Sequence, residues 1–245
     1  MWSSGSIVIP VYNSIDSLDE LLDRLSKVLK EIFIEYEIIL VDDYSTDNSF
    51  LKMKDMYKRN KNLKIIRLEK NFGQQNAIKC GFEFATKEFI ITMDDDLQHQ
   101  PKEIIKIMEK MDEGYDVVYG IAQKKEHNFL RNVGSKMTNF LFNTICHKPK
   151  DIRVSSFRCI KKNTLEVIKK DRTSFVYISA IIFKITRNIG NIYVEHRPRK
   201  YGKSNYNFSK LISLFLKLYI YYSDYKLFNR FLKKQSQFEI SESYL

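Results

Sequence analysis

The stretch Phe89-Ile-Ile-Thr-Met-Asp-Asp-Asp-Leu-Gln-His-Gln-Pro101 runs an apolar segment straight into three adjacent carboxylates. Three like charges at a strand end repel one another, and a divalent cation is the simplest remedy. A phosphate is the simplest reason to hold a cation there. Asp94 and Asp96 are two residues apart, so both project to the same side of an extended chain. Asp95, between them, turns to the other side. Oxygen ligands with no metal-spaced Cys or His nearby favour Mg2+ or Mn2+ over Zn2+. The alternative is a solvated acidic loop that caps a helix beginning near Pro101.

Working outward, the first ~120 residues alternate short β-rich runs with helical patterns. Strands are expected at Ser6–Tyr12, Tyr36–Val41, Leu63–Leu68, Glu88–Met93 and Tyr115–Tyr119. Between them, Leu18, Leu21, Leu22, Leu25, Val28 and Leu29 recur at helical spacing. Ser49 to Lys58, Gly73 to Ala85 and Lys102 to Met111 read as further helices, the first capped by Asp47 or Asn48. Repeated β-α units imply an α/β fold, a mostly parallel sheet covered by helices on both faces. Right-handed crossovers then place the strand ends, with Asn13, Asp42, Asp43 and Asp94 to Asp96, along one edge.

After Gly120 the pattern loosens. Phe129 to Ile145 is expected to be helical, Asp151 to Ile160 a strand or bend, and Lys162 to Lys169 a short helix. Tyr177 to Ile189 reads as a helix or an apolar strand pair, and Asn191 to His196 as a late strand. Phe208 to Leu232 is aromatic, basic and helical. This gives one catalytic domain over residues 1–206 and an amphipathic helical tail over residues 207–245.

The chain has 245 residues and a net charge of +11, with 44% hydrophobic and 13% aromatic residues. That is a globular composition. Cys80, Cys146 and Cys159 form no CxxC pair, which fits reduced thiols in a cytoplasmic setting. The N-terminus has neither the basic region nor the apolar core of a signal peptide. From His196 to Lys234 there are ten Lys or Arg and one acid, Asp224. Such a block seeks anions. The apolar run Leu211 to Tyr222 is only twelve residues long and contains Lys217, whereas a membrane span needs about 20. Interleaved lysines and aromatics suit a helix lying on an anionic membrane surface, at the inner face of the cell membrane. The alternative is an amphipathic helix packed on the core or at a homo-oligomer contact. No nucleic-acid module is visible, so nucleic acid is not an expected partner.

Two loops add chemistry. After the first strand, Pro10 fixes φ, Tyr12 offers a flat face and Asn13 both donates and accepts. That suits a nucleobase, and equally a strand-to-helix turn. After the second strand, Asp42 and Asp43 can accept hydrogen bonds from a base N–H or from ribose hydroxyls, or can cap a helix.

Four segments occur in order: Ser6-Ile-Val-Ile-Pro-Val-Tyr-Asn13, Val41-Asp-Asp-Tyr-Ser-Thr-Asp47, Asn71-Phe-Gly-Gln-Gln-Asn-Ala77 and Met93-Asp-Asp-Asp-Leu-Gln-His-Gln-Pro101. Together they resemble the GT-A glycosyltransferases of family 2. The subgroup they most resemble is the polyprenyl-phosphate sugar transferases, those like dolichol-phosphate mannose synthase or undecaprenyl-phosphate glucosyltransferase. The likeness runs over about residues 6 to 206. It implies a metal-dependent, inverting transfer from a nucleotide sugar, expected to be UDP-linked, to a polyprenyl phosphate or a saccharide in surface polysaccharide or glycolipid assembly. On this resemblance Asp94, Asp96 and Gln98 hold Mn2+ or Mg2+, and Asp96 also serves catalysis. Asp42 and Asp43 meet the base and ribose beside Pro10, Tyr12 and Asn13. Gly73 lets the backbone approach the nucleotide, and Asp94 and Asp95 complete the donor side.

Downstream, Asp151-Ile-Arg-Val-Ser-Ser-Phe-Arg158 resembles the acceptor-side block of that subgroup. Asp151 is the candidate base or acceptor-orienting carboxylate, or else a solvated turn acid. Arg131 falls where the subgroup places an acceptor-phosphate arginine, with Lys124 and Lys125 nearby, or else it is a helix-surface residue. Arg199-Lys-Tyr-Gly-Lys-Ser-Asn-Tyr206 resembles a loop that closes over the diphosphate through Arg199, Lys203 and Ser204. Here Asn205 stands where lysine is common and Lys203 where an acid is common. Two other classes remain: a catalytically silent nucleotide-binding subunit of a membrane assembly, and a nucleic-acid-binding protein, whose affinity would fall steeply with salt.

Overall fold

The computed structural model describes residues 1–123, 148–197, 208–222 and 236–245. Its first half follows the expected alternation: β1 (Trp2–Val11), α1 (Leu18–Ile32), β2 (Phe33–Asp42), α2 (Ser49–Tyr57), β3 (Leu63–Leu68), α3 (Gln74–Phe84), β4 (Phe89–Thr92), a single 3-10 turn at Pro101–Glu103 leading into α4 (Ile104–Met111), and β5 (Val117–Ala122). The second half supplies β6 (Arg158–Lys161), α5 (Lys162–Lys170), α6 (Ile178–Ile185), β7 (Ile189–Val194), α7 (Phe208–Tyr222) and β8 (Ile240–Tyr244).

One eight-stranded sheet runs in the order β7-β5-β6-β4-β1-β2-β3-β8. β3, β2, β1 and β4 are mutually parallel, as are β5 and β7. β6 runs antiparallel between β4 and β5. Period-2 alternation divides the core. Ile7, Ile9, Ile38 and Leu40 face α1, α2 and α4 on one side, while Val8, Ile39 and Val41 face α3, α5, α6 and α7 on the other. Helices therefore cover both faces.

Burial outweighs capping in forming α1. Ser17 at its N-cap makes no side-chain cap bond, a loss of about 1 kcal/mol. Leu18, Leu21, Leu25, Leu29 and Ile32 are all buried, each contributing about 1.5–3 kcal/mol. In α2 the cap comes from Asp47, whose Oδ1 accepts the Ser49 amide at 2.9 Å. α3 sits close on the sheet at Gly81, where a Cβ would meet Val8 Cγ1 at 2.4 Å.

The structure corrects several expectations. The first strand begins at Trp2, whose Nε1 donates to Asp112 Oδ1 at 2.8 Å. Of residues 151–160, only Arg158 onward is a strand. The segment from Tyr177 is a helix and β7 starts at Ile189, because the run is interrupted at Thr186 by an extended residue. The largest correction concerns the C-terminus. Among the described residues of 207–245, Ile240–Tyr244 is a strand and not helix: β8 pairs antiparallel with β3 and extends the catalytic sheet. Glu69 takes the Glu239 carbonyl at 2.9 Å, and Asn76 Nδ2 donates to the Gln237 carbonyl. α7 buries Leu218 and Tyr222 in the core, so this stretch of helix packs inward. Residues 223–235, which carry much of the basic tail, lie outside the described residues, as do the helix expected over 129–145 and the loop of Arg199, Lys203 and Ser204. Among the described residues no helix is long and apolar enough to cross a membrane. Cys80 and Cys159 are buried, and burial raises both thiols, Cys80 to about 12.

Candidate active site

Three adjacent parallel strands, β2, β1 and β4, end at one edge of the sheet. Just past each end stands a non-glycine residue in the left-handed region: Tyr44 (φ 62), Asn13 (φ 52) and Leu97 (φ 59). Such conformations are unfavourable for bulky side chains and persist where surrounding contacts over-determine them, which is common at functional sites.

Hydrogen bonds lock these loops together. Asn13 Oδ1 accepts the Thr46 amide at 2.8 Å, and the Asn13 amide donates to Ser45 Oγ at 3.0 Å. Asn13 thus ties the β1 loop to the β2 loop. Tyr12 is 48% exposed and presents its ring to solvent, while its amide donates to Asp95 Oδ2 at 3.4 Å. Asp95 accordingly faces the β1 loop. Its carboxyl is pushed up to about 6, chiefly by burial, with Asp94 and Asp96 adding to the rise. Pro10 lies within β1, opposite Val41.

Asp42 is fully buried and accepts the Ser45 amide at 3.2 Å. Arg67 Nε lies 3.4 Å from its Oδ2, and the Arg67 guanidinium stands 5.5 Å from the Tyr44 ring. Burial raises the Asp42 carboxyl, opposed by Ser45 and Arg67. Asp43 has both oxygens in use: Oδ1 accepts the Phe72 amide at 2.7 Å and Oδ2 the Gly73 amide at 2.8 Å. Gly73 has φ 91, which a β-carbon would disfavour, and it opens α3. Asp43 therefore orients the start of α3 as much as it lines the edge.

Asp94 is gripped from two sides. Gln74 Nε2 donates to Oδ1 and Ser156 Oγ to Oδ2, each at 2.6 Å. Asp96 Oδ1 accepts the Gln98 amide at 3.1 Å across the strained Leu97. Gln98 joins the end of β7: its Nε2 donates to the Arg197 carbonyl at 3.3 Å, and its own carbonyl accepts the Arg197 amide at 2.9 Å. The same pairing sets the His99 ring 4.9 Å from that of His196. His99 is buried, its Nδ1 has no hydrogen-bond partner, and burial holds it neutral with a pKa of about 4. Among the described residues no group of three or more His, Cys, Asp or Glu converges. The edge thus offers two carboxylates and an amide.

Asp151 is exposed on a turn, with Lys148 as its charged neighbour. Arg131, Arg199, Lys203 and Ser204 lie outside the described residues. Sequence reasoning missed Gln74, Ser156, Arg67 and His196. Gln74 and Ser156 did lie inside segments that carried the family resemblance, but neutral side chains give no charge signal. Beside Asp94, a pocket of about 230 Å3 is lined by Gln74, Gln75, Ser156, Arg158, Tyr177 and Ser179, among others. A larger hollow of about 480 Å3 lies at the opposite end of the strands, around Leu63, Lys64 and Leu245, and touches none of these groups.

A mostly parallel sheet with an acidic pair at the end of its fourth strand, and loops from its first two strands alongside, defines a GT-A architecture. The Glycosyl transferase family 2 model matches residues 6–168, more than half of the chain, and the protein belongs to that family. It is a glycosyltransferase. Glucosyl-3-phosphoglycerate synthase from Mycobacterium tuberculosis has a similar fold. Its complex with Mn2+ and uridine-diphosphate-glucose aligns with a TM-score of 0.63 at 14% identity, covering 89% of this chain and 77% of that one. Its complex with Mn2+, uridine-diphosphate and phosphoglyceric acid aligns with a TM-score of 0.64 at 13% identity, covering 89% and 76%.

Proposed function

We propose that this glycosyltransferase moves a sugar from a UDP-sugar to an acceptor oxygen, with Mn2+ or Mg2+ at Asp94, Asp96 and Gln98. The observation that carries the reading is the placement of Asp94 and Asp96 at the end of β4, between the β1 and β2 loops and the start of α3. The donor set fits such a metal. Mg2+-type sites are commonly completed by one or two carboxylates, water and substrate phosphates, so two carboxylates and an amide suffice once a diphosphate is present. Gln98 directs its amide nitrogen to Arg197, and an amide ligates a hard cation through its oxygen.

The metal, when bound, neutralises the charge that collects on the departing diphosphate. The chain's own residues do the rest. Tyr12 offers its exposed ring beside Asp42 for the base, Asn13 and Asp43 hold the loops in register, and Gln74 and Ser156 fix the rotamer of Asp94. The acceptor oxygen attacks the anomeric carbon as its bond to the diphosphate oxygen breaks, and the electron pair leaves with that oxygen. Direct displacement inverts the anomeric centre. The similarity to structures holding UDP and Mn2+ supports uridine as the base.

A screen of nucleotide sugars with Mn2+, read as release of nucleoside diphosphate with and without phosphorylated acceptors, tests the reading. Turnover restricted to UDP-sugars and dependent on metal is expected. Turnover unaffected by excess EDTA, or no turnover with any donor although UDP binds, would contradict it and favour a silent nucleotide-binding subunit.

A further inference from the structure

The pocket beside Asp94 contains a buried positive charge. Arg158, on β6, is 1% exposed, yet it lines the pocket. Its Nε donates to Thr92 Oγ1 and its Nη1 to Ser179 Oγ, each at 3.1 Å, and its guanidinium lies 5.7 Å from the Tyr119 ring. All of these partners are neutral. Among the described residues no carboxylate pairs with Arg158, and the Tyr119 hydroxyl is a further neutral hydrogen-bond partner. A buried charge is retained when something pairs with it.

The pocket's other polar groups are arranged to donate. Ser179 Oγ accepts from both Arg158 and Tyr119, at 3.1 Å each, so its own hydrogen remains for a ligand. Gln75 uses its Oε1 on the Ile178 amide at 3.1 Å, which leaves its NH2 group as the donor. Among the described residues no acidic side chain lines the pocket. Gln74 and Ser156 form both its wall and the grip on Asp94, so a group held here lies next to the metal platform.

We propose that this pocket is an oxyanion subsite, charged by Arg158, for the phosphate or carboxylate of the substrate that receives the sugar. The inference rests on glycosyl transfer at Asp94 and narrows the acceptor to an anionic molecule. The geometry suits bidentate or fork-like recognition of a planar or tetrahedral oxyanion by a guanidinium held by hydroxyls.

The test uses the full chain and calorimetric titration. UDP with Mn2+ is titrated first, which reports on the proposed function alone. Phosphoglyceric acid, a short-chain polyprenyl phosphate in detergent, and the matching neutral alcohols are then titrated with and without UDP and Mn2+. At least one phosphorylated compound should bind and its neutral counterpart should not. Preference for phosphoglyceric acid assigns a soluble acceptor, and preference for the polyprenyl phosphate a lipid one. Arg158→Gln should weaken anion binding roughly tenfold or more, and Ser179→Ala about threefold, with UDP affinity unchanged within about twofold. Equal anion affinity in wild type and Arg158→Gln overturns the inference while leaving the transferase reading intact. Should Arg158→Gln fail to fold, Ser179→Ala decides, and unchanged affinity there overturns it. If Arg158→Gln instead abolishes only a preference for UDP-glucuronic acid over UDP-glucose, the anion belongs to the donor sugar and the acceptor assignment falls.

Discussion

Gln74 Nε2 sits 2.6 Å from Asp94 Oδ1, so the first residue of α3 holds the first carboxylate of the acidic cluster. Ser156 holds the other oxygen at 2.6 Å from the segment leading into β6. The carboxylate is therefore fixed before any ligand arrives. Gln74→Ala, on an exposed side chain, should leave Tm nearly unchanged and lower kcat/KM about tenfold, the value of one charge-assisted bond. Steady-state kinetics beside a thermal melt checks this. A fall in Tm with kcat/KM intact would make Gln74 a packing residue.

Arg67 joins three features of the β2 loop: the buried Asp42, the Ser45 carbonyl at 3.3 Å and the Tyr44 ring. Arg67→Ala leaves Asp42 without its positive partner and releases Tyr44. Donor affinity should drop roughly five- to twentyfold while the maximal rate changes little, because the proposed function assigns these groups to the base rather than to the reacting bond. Titration with UDP in Mn2+ reads the affinity directly.

Asp43 predicts a pH dependence. Burial moves its carboxyl from 3.8 to about 6 in the folded chain. The folded state then holds this proton to higher pH than the unfolded state does. Its contribution favours folding below about pH 4 and is lost as the pH rises through about 6. Urea melts at pH 4 and pH 7 should show wild type losing more stability than Asp43→Asn over that interval. A constant difference between the two proteins would place the Asp43 carboxyl at its ordinary value.

β8 predicts a structural role for the C-terminus. Lys54 pairs with Glu242 at 2.6 Å, and the Tyr57 and Tyr244 rings lie 5.7 Å apart. Removing residues 236–245 should lower stability by at least about 2 kcal/mol and expose the β3 edge to aggregation. Thermal melting and light scattering detect both effects.

The sheet and its order of helices were legible because burial on both faces writes itself as apolar runs and 3.6-residue spacing. Leu63–Leu68 is found where the pattern puts it. β8 was hidden because Ile240-Ser-Glu-Ser-Tyr244 is a half-exposed edge strand whose alternation is mostly polar. The carboxylates of the site were visible as charges at strand ends. What grips them was not: Gln74, Ser156 and Arg67 reach them only through strand pairing and loop closure. Arg158 reads in sequence as one more basic residue, and only its burial shows that it lacks a carboxylate partner among the described residues.

The central claim is that Asp94 and Asp96 form a metal platform for a nucleoside diphosphate. Calorimetric titration of UDP into wild type and Asp96→Ala, with Mn2+ and with EDTA, tests it most directly. Tight binding should require both Mn2+ and Asp96, in a variant whose circular dichroism and Tm match wild type. Equal UDP affinity in all four titrations would contradict the account.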